Sequence, residues 1–263
     1  MAVSDTQQVN QADLISQVLS RPWFYHFPLP DGRQTECYLP PEAHAVHTTR
    51  REMMLRCLDK HLPEDWSGLN AVDLACHEGW FSMALAERGM GSILGIDARQ
   101  DHVDDATLVA RALGREQQFR GHCQDVHSID SQHLGQFDVC LMLGLLYHLE
   151  NPVGALRVAR ALTGRVCLVE TQVAPNLSGP LDWGNYQFVK PMMGSFAIID
   201  ETEETHGPEM STLGICLAPS VEGLLWLMRK VGFDRVELLA PPQDAYEQHR
   251  FGKRVMVAGY VDP

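Results

Sequence analysis

The stretch LNAVDLACHEGWFSMALAERGMGSILGID, residues 69–97, constrains the fold more than any other part of the chain. Leu69 to Ala75 is a short apolar run whose one charge, Asp73, falls near its end. Gly79 opens a segment with Phe81, Ala84, Leu85 and Arg88 at helical spacing, and Gly89 and Gly91 close it. Ser92 to Ile96 is apolar again, and Asp97 ends it. A strand, a turn with glycine, a helix and a strand ending in a carboxylate make one half of a nucleotide-binding α/β unit. The turn lets backbone N–H groups approach a ligand, and the terminal carboxylate can accept from both hydroxyls of a ribose.

The spacing separates two kinds of nucleotide. A dinucleotide pattern G-x-G-x-x-G would need glycine at Ala75, His77 and Trp80, two of which carry bulk where a pyrophosphate would lie. Asp73-Leu-Ala75-Cys-His77-Glu-Gly79 instead resembles motif I of the class I S-adenosylmethionine-dependent methyltransferases, E/D-x-G-x-G-x-G, with only the third glycine standing. The resemblance implies S-adenosylmethionine as cofactor. It places Asp73, Ala75, His77 and Gly79 around the cofactor's amino-acid end, and Asp97 with Ala98 at its ribose. Asp125 and Val126, after the third strand, fall at its adenine, and Leu143 completes the binding set. Ala75 and His77 at glycine positions leave the turn geometry open. His77 has to point away from the cofactor or over its edge, and reads as structural as readily as ligand-contacting.

Composition bounds the rest. A chain of 263 residues, 45% apolar and 21% charged, can bury a core as one large domain or one domain with an insertion. With 21 basic and 34 acidic residues the net charge is −13, and no run of Lys or Arg forms a nucleic-acid track. A large RNA partner is therefore disfavoured, though a local basic patch stays open. Seven scattered cysteines without paired spacing argue for a reducing compartment. The start MAVSDTQQVNQADL lacks the pattern of a signal peptide, and no 18-residue apolar run is present, so no membrane partner is expected. The expected location is cytoplasmic.

The periodicity predicts two regions: an N-terminal extension, residues 1–65, capping the active site, and a domain at 66–263 with an insertion at about 172–215. In the extension, Leu14, Ile15, Val18 and Leu19 share a helix face, and RPWFYHFPLP leads to the turn Asp31-Gly32 and a short hairpin with Gln34 to Leu39. Trp23, Phe24, Tyr25 and Phe27 read as core cover more readily than as ligand contacts. Thr48 to His61 reads as a helix with Met53, Met54, Cys57 and Leu58 inward and Arg50, Arg51 and Arg56 on the polar side. Beyond Asp97 come a helix at 101–113, strands at 117–123 and 137–143, a helix opened by Asn151-Pro152 and ended by Gly164, and a strand at 165–171. Ser220 caps a last helix, before strands at 233–239 and 254–260. The fold class expected is α/β. With the resemblance, it is a Rossmann-like, seven-stranded, mostly parallel sheet with helices on both faces and an antiparallel C-terminal hairpin.

FDVCLMLGLLYHLENP resembles the region after the fourth strand in the methyltransferase branch that includes the tRNA wobble-uridine carboxymethyltransferases, and WFYHFPLPDG and GWFS are similar to it too. In that branch a Tyr at the position of Tyr147 helps hold the cofactor's extra carboxylate, together with a basic partner that the sequence does not place. Tyr147 and His148 follow a buried strand, so they sit at the carboxyl edge of the sheet, where ligands bind. His148 is the better general base, its ordinary pKa lying near neutrality; capping the next helix or bonding to backbone is the alternative use of its ring. The insertion, rich in Pro175, Gly179, Pro180, Trp183, Gly184, Tyr186 and Phe188, reads as a substrate cover, with a homodimer contact or a plain insertion as the alternative. Asp200, Glu201, Glu203 and Glu204 read as a solvated acidic turn. His44 and His47 share a helix face, but no zinc spacing exists and no metal is expected. The function expected is methyl transfer from S-adenosylmethionine to oxygen or nitrogen of a small molecule. The alternatives are a tRNA wobble-uridine methyl or carboxymethyl transferase and a non-catalytic cofactor-binding protein.

Overall fold

A computed structural model describes residues 11–181, 184, 190–202, 204, 211 and 214–262. The N-terminal region holds α1 (Gln11–Val18) and α2 (Ala45–His61). The sheet domain follows as β1 (Asn70–Leu74), α3 (Trp80–Arg88), β2 (Ser92–Asp97), α4 (Gln100–Ala112), β3 (Phe119–Cys123), the single turn α5 (Ser131–Leu134), β4 (Phe137–Leu143), α6 (Pro152–Leu162) and β5 (Thr163–Gln172). After the insertion come α7 (Val221–Lys230), β10 (Arg235–Leu238), α8 (Glu247–Arg250) and β11 (Arg254–Tyr260). Seven strands form one sheet in the order β3-β2-β1-β4-β5-β11-β10. The first five are parallel, and β11 runs antiparallel between β5 and β10. The order reverses between β1 and β4, which opens a crevice at their carboxyl ends.

Alternation along the strands builds both faces. Ala71, Val139, Leu141 and Leu168 point into one core cluster with α1 to α4, while Val72, Leu74, Cys140, Met142 and Cys167 point into a second with α6 and α7. Caps fall where the residue types place them: Asn151 accepts from the Gly154 N–H at 2.9 Å, and Ser220 from the Gly223 N–H at 3.2 Å. Gly164 does not end α6. The helix stops at Leu162 and Thr163 already begins β5, its hydroxyl donating back to the Ala159 carbonyl at 2.6 Å.

Residues 21–44 do not form a continuous hairpin. The Asp31-Gly32 turn forms as expected, but the two arms share only isolated bridges, Trp23 with Cys37 and Pro28 with Gln34. Trp23, Tyr25 and Phe27 are buried in the core. Glu78, from the turn before α3, pins this segment: its buried carboxylate accepts the Phe24 N–H at 3.0 Å and the Tyr25 N–H at 3.3 Å. The insertion also carries more structure than the sequence predicts. It forms two antiparallel pairs, β6 (Gly179–Leu181) with β7 (Lys190–Met192) and β8 (Phe196–Asp200) with β9 (Ile215–Pro219). Trp183, Tyr186, Phe188 and Glu203 lie outside the described residues. Among the described residues no helix is long and apolar enough to cross a membrane.

Glu78→Ala leaves two backbone donors without their acceptor and is expected to destabilise by about 1–3 kcal/mol. Limited proteolysis should then cut first between residues 21 and 44. Unchanged melting and an unchanged first cleavage site would show that the segment is held by its aromatic side chains alone.

Candidate active site

β1 ends at Leu74 and the chain turns sharply. Ala75 has φ 60°, His77 φ 52° and Gly79 φ 82°, all left-handed. The glycine geometry of the turn is thus made with only one glycine, at a cost of about 1–3 kcal/mol for each of the two side-chain-bearing residues. Three hydrogen bonds hold it: Cys76 N–H to the Ile96 carbonyl at 3.0 Å, Gly79 N–H to the Cys76 carbonyl at 2.8 Å, and His77 N–H to Asp97 Oδ2 at 2.9 Å. Gly79 also permits close packing, since a Cβ there would meet that of Ala106 at 3.0 Å. The His77 ring lies against His102, centroids 4.0 Å apart, and Phe24, 5.0 Å.

Asp97 is the anchor of the turn. Besides His77, its carboxylate accepts from Arg99 N–H at 3.0 Å and lies 3.2 Å from His102 Nδ1. Burial pushes its pKa up, but the bond and charge of His102 and the two backbone donors outweigh that and hold it below the ordinary carboxylate range. The carboxylate keeps lone pairs for hydroxyl donors.

A cavity of about 460 Å³ opens over the β1–β4 switch point. Its lining includes Ala75 and His77 after β1, Asp97 and Ala98 at the end of β2, Asp125 and Val126 after β3, and Leu143, Tyr147 and His148 at and beyond the end of β4. Asp125 also caps the turn Val126–Ser128 by accepting the His127 N–H at 2.8 Å. Of the expected binding set, Asp73 and Gly79 do not reach the lining. Asp73 is 1% exposed and accepts from Ser82 Oγ at 2.7 Å. Burial raises its pKa to about 7, with Ser82 opposing and the charge of Asp97 adding.

The wall beside Tyr147 is built with residues to which the sequence gave no role in the site. Arg50, placed on the polar side of its helix by periodicity, is buried, and its Nε lies 3.1 Å from Glu170 Oε2. Arg254 Nη1 donates to Glu170 Oε1 at 3.1 Å and its Nη2 to Tyr147 Oη at 2.9 Å. His249 Nε2 is 3.2 Å from the same carboxylate. Burial opposes ionisation of Glu170, but Arg50, Arg254 and His249 hold it far below its ordinary value. Arg50 and Arg254 reach the cavity wall while Glu170 stays behind it. His148 neither caps α6, which Asn151 does, nor is its Nδ1 spent on backbone: that atom meets Glu201 Oε2 at 2.6 Å. Glu201 is therefore not part of a solvated turn. It is 2% exposed and accepts the Ser211 N–H at 2.9 Å. Burial raises its pKa, and the bond and charge of His148 with the Ser211 N–H more than offset this. β9 seats the pair, its Leu217 N–H donating to the Leu149 carbonyl at 3.1 Å. The one available signal was an acidic residue closing an apolar run: Glu170 follows Val166 to Val169 within β5.

Asp73 gives a pH test. Its folded pKa, about 7, lies above the unfolded value, so its contribution is fully present below pH ~4 and is lost as pH rises through 7. Asp73→Asn can still accept from Ser82 and does not ionise. Its stability relative to the unaltered chain should rise by about 2 kcal/mol between pH 5 and pH 8. Denaturant titrations at the two pH values measure this, and a pH-independent difference contradicts it.

Residues 71–164 match the protein family described as "Methyltransferase domain". The chain is 34% identical over 125 residues to the O-antigen chain terminator bifunctional methyltransferase/kinase WbdD of Escherichia coli, covering 44% of this chain and 16% of that protein. It is 29% identical over 107 residues to a ubiquinone biosynthesis O-methyltransferase of Psychrobacter arcticus, covering 40% and 41%. It is 23% identical over 219 residues to the tRNA U34 carboxymethyltransferase of Desulfotalea psychrophila, covering 81% and 60%. The chain thus spans less than two thirds of the length of each of these relatives. In fold it is similar to the N-terminal domain of EvdMO1 with SAH bound, at a TM-score of 0.66 and 20% identity, covering 96% of this chain and 95% of that one. The matched stretch begins within β1 and runs through the turn, Asp97 and the Tyr147–His148 loop. Residues 71–164 therefore match a methyltransferase domain, set in a fold similar to that of a domain solved with SAH bound.

Proposed function

We propose that this chain transfers the methyl group of S-adenosylmethionine to an oxygen or nitrogen of a small-molecule acceptor. The observation that carries the reading is one cavity lined both by Asp97, at the end of β2, and by His148, beyond β4, whose ring Glu201 holds. The residues fit the cofactor. The left-handed turn at Ala75 and His77 brings backbone to the wall, Asp97 suits the ribose, and Asp125 and Val126 suit the adenine side. When bound, the cofactor supplies an electrophilic methyl on a sulfonium. The chain's part is to align the acceptor and take its proton. With Nδ1–H held by Glu201, His148 takes that proton on Nε2, and the Glu201 carboxylate stabilises the imidazolium formed. The cavity wall formed by Arg50, Arg254 and Tyr147 sets two guanidinium groups against one carboxylate behind them. This excess of positive charge favours an anionic group on the ligand. The same wall supports a second reading, a carboxylated cofactor held at Tyr147 and Arg254, with the tRNA U34 carboxymethyltransferase among the relatives. The net charge of −13 favours a small acceptor over RNA, and seven free cysteines favour a reducing, cytoplasmic setting.

Titration calorimetry with S-adenosylhomocysteine tests the cofactor. Asp97→Ala should weaken binding by about 1.5–3 kcal/mol. No binding by the unaltered chain, or unchanged affinity in the variant, rejects the assignment. Labelled cofactor and metabolite extract identify the acceptor by mass shift. With that acceptor, His148→Ala should lower turnover by ~10²–10⁴-fold while cofactor affinity holds. Glu201→Gln should shift the pH–rate profile to higher proton concentration. A folded His148→Ala protein with near-normal turnover would leave alignment alone as the catalyst. Salt-sensitive retention of total tRNA at physiological ionic strength would transfer the assignment to RNA.

A further inference from the structure

Behind the part of the cavity wall formed by Phe24 and Leu39, His26, Cys37 and His44 converge, one ligand atom from each lying within 4.8 Å of the others. They come from three pieces of chain: the arm entering the Asp31-Gly32 turn, the returning arm, and the residue just before α2. His26 Nε2 and His44 Nδ1 face one another at 3.2 Å. The other nitrogen of each ring is committed: His26 Nδ1 lies 2.8 Å from the Thr35 carbonyl, and His44 Nε2 lies 2.8 Å from the Leu39 carbonyl. A carbonyl only accepts, so each neutral ring carries its proton on that outer side. The facing nitrogens then both present lone pairs, which repel at this distance unless a positive species lies between them.

We propose that His26, Cys37 and His44 bind a zinc ion. Two imidazoles on one tetrahedral zinc, each at ~2.0–2.1 Å, place their nitrogens roughly 3.3 Å apart, near the separation found. A backbone carbonyl on the outer nitrogen is the arrangement that orients ligating histidines. The buried Cys37 thiol now donates to the Phe24 carbonyl at 3.0 Å; on binding it releases its proton to solvent and ligates as thiolate. Water takes the fourth position. The second such cluster among the described residues, His148, Glu201 and Cys216, is less suited, its carboxylate already accepting from Ser211 N–H and meeting His148. Zinc at the first would add a link from this arm to the start of α2, and so help fix Phe24, Tyr25 and Leu39 on the cavity wall. This inference does not depend on the reaction proposed above.

The test uses the full chain, produced without a polyhistidine tag and stripped with a chelator. Cobalt(II) titration should saturate at one equivalent, with a thiolate-to-cobalt charge-transfer band and the strong visible bands of tetrahedral geometry; zinc should displace it. Cys37→Ser should abolish the charge-transfer band, and Cys216→Ala should keep it. In the unaltered chain, zinc should slow alkylation of Cys37 by about tenfold, read by peptide mass, which keeps the test decisive if Cys37→Ser does not fold. Absence of saturable cobalt binding, a band that survives Cys37→Ser or disappears in Cys216→Ala, or zinc-independent alkylation of Cys37 would each overturn the site.

Discussion

Glu170 ties α2, α8 and β11 to one point on β5. It sits fully buried on β5, the strand between the parallel half of the sheet and the C-terminal hairpin. Removing a carboxylate from water costs several kcal/mol unless opposite charge and hydrogen bonds replace the solvent. Arg50 from α2, Arg254 from β11 and His249 from α8 supply that replacement. Each bond therefore ties a different element to one point at the floor of the cavity. The backbone yields to this arrangement as well. Gly144 has φ 84°, and a Cβ there would lie 2.5 Å from Arg50 Nη2, so only glycine lets the guanidinium reach its partner. The next residues carry Tyr147 and His148 into the site, and Arg254 fixes Tyr147 by its hydroxyl.

Local patterns in the sequence carried the frame. Short continuous apolar runs marked most of the parallel strands, and Asn151-Pro152 and Ser220 marked helix starts because capping is satisfied within four residues. The turn and its carboxylate were legible for the same reason, being adjacent in the chain. Seven of nine expected binding residues line the cavity, as do Tyr147 and His148. What stayed hidden was pairing between charges far apart in sequence. Arg50 meets Glu170 across 120 positions and His148 meets Glu201 across 53. An arginine on a helix or a glutamate in an acidic cluster looks solvated until the partner is known, because periodicity reports only which side of a local element is apolar. Asp73 missed the lining for a related reason. It stands at the motif's position near the end of β1, but Ser82, in the first turn of α3, holds its carboxylate in the interior.

The turn at Ala75 and His77 shows how a motif survives without its glycines. Left-handed backbone is costly for a residue with a Cβ, and the cost is met by bonds that only this geometry makes. His77 N–H reaches Asp97 because φ is 52° there, and Asp97 is in turn held ionised by His102. The side chain that replaces hydrogen at His77 then packs among Phe24, Tyr25 and His102, linking the N-terminal cap to the turn. Glu78, the next residue, does the same through hydrogen bonds.

The matched domain, residues 71–164, contains the turn, Asp97, Asp125 and the Tyr147–His148 loop, but none of the residues that charge the wall beside Tyr147. Arg50 and the cap precede it; Glu170, Glu201 and Arg254 follow it. A domain that ended at residue 164 would hold His148 without the carboxylate that orients it, and Tyr147 without the guanidinium that fixes its hydroxyl. Under the function proposed above, the cofactor side of the reaction would rest on the matched stretch, and acceptor binding and proton transfer on the flanks as well. This division bears on what the net charge of −13 means for a ligand. At distances beyond ~8–10 Å, salt screens the total charge, and an approaching anion responds instead to the groups on the wall it meets. That wall carries Arg50 and Arg254, so a small anion within the cavity would meet two guanidinium groups whatever the total charge of the chain.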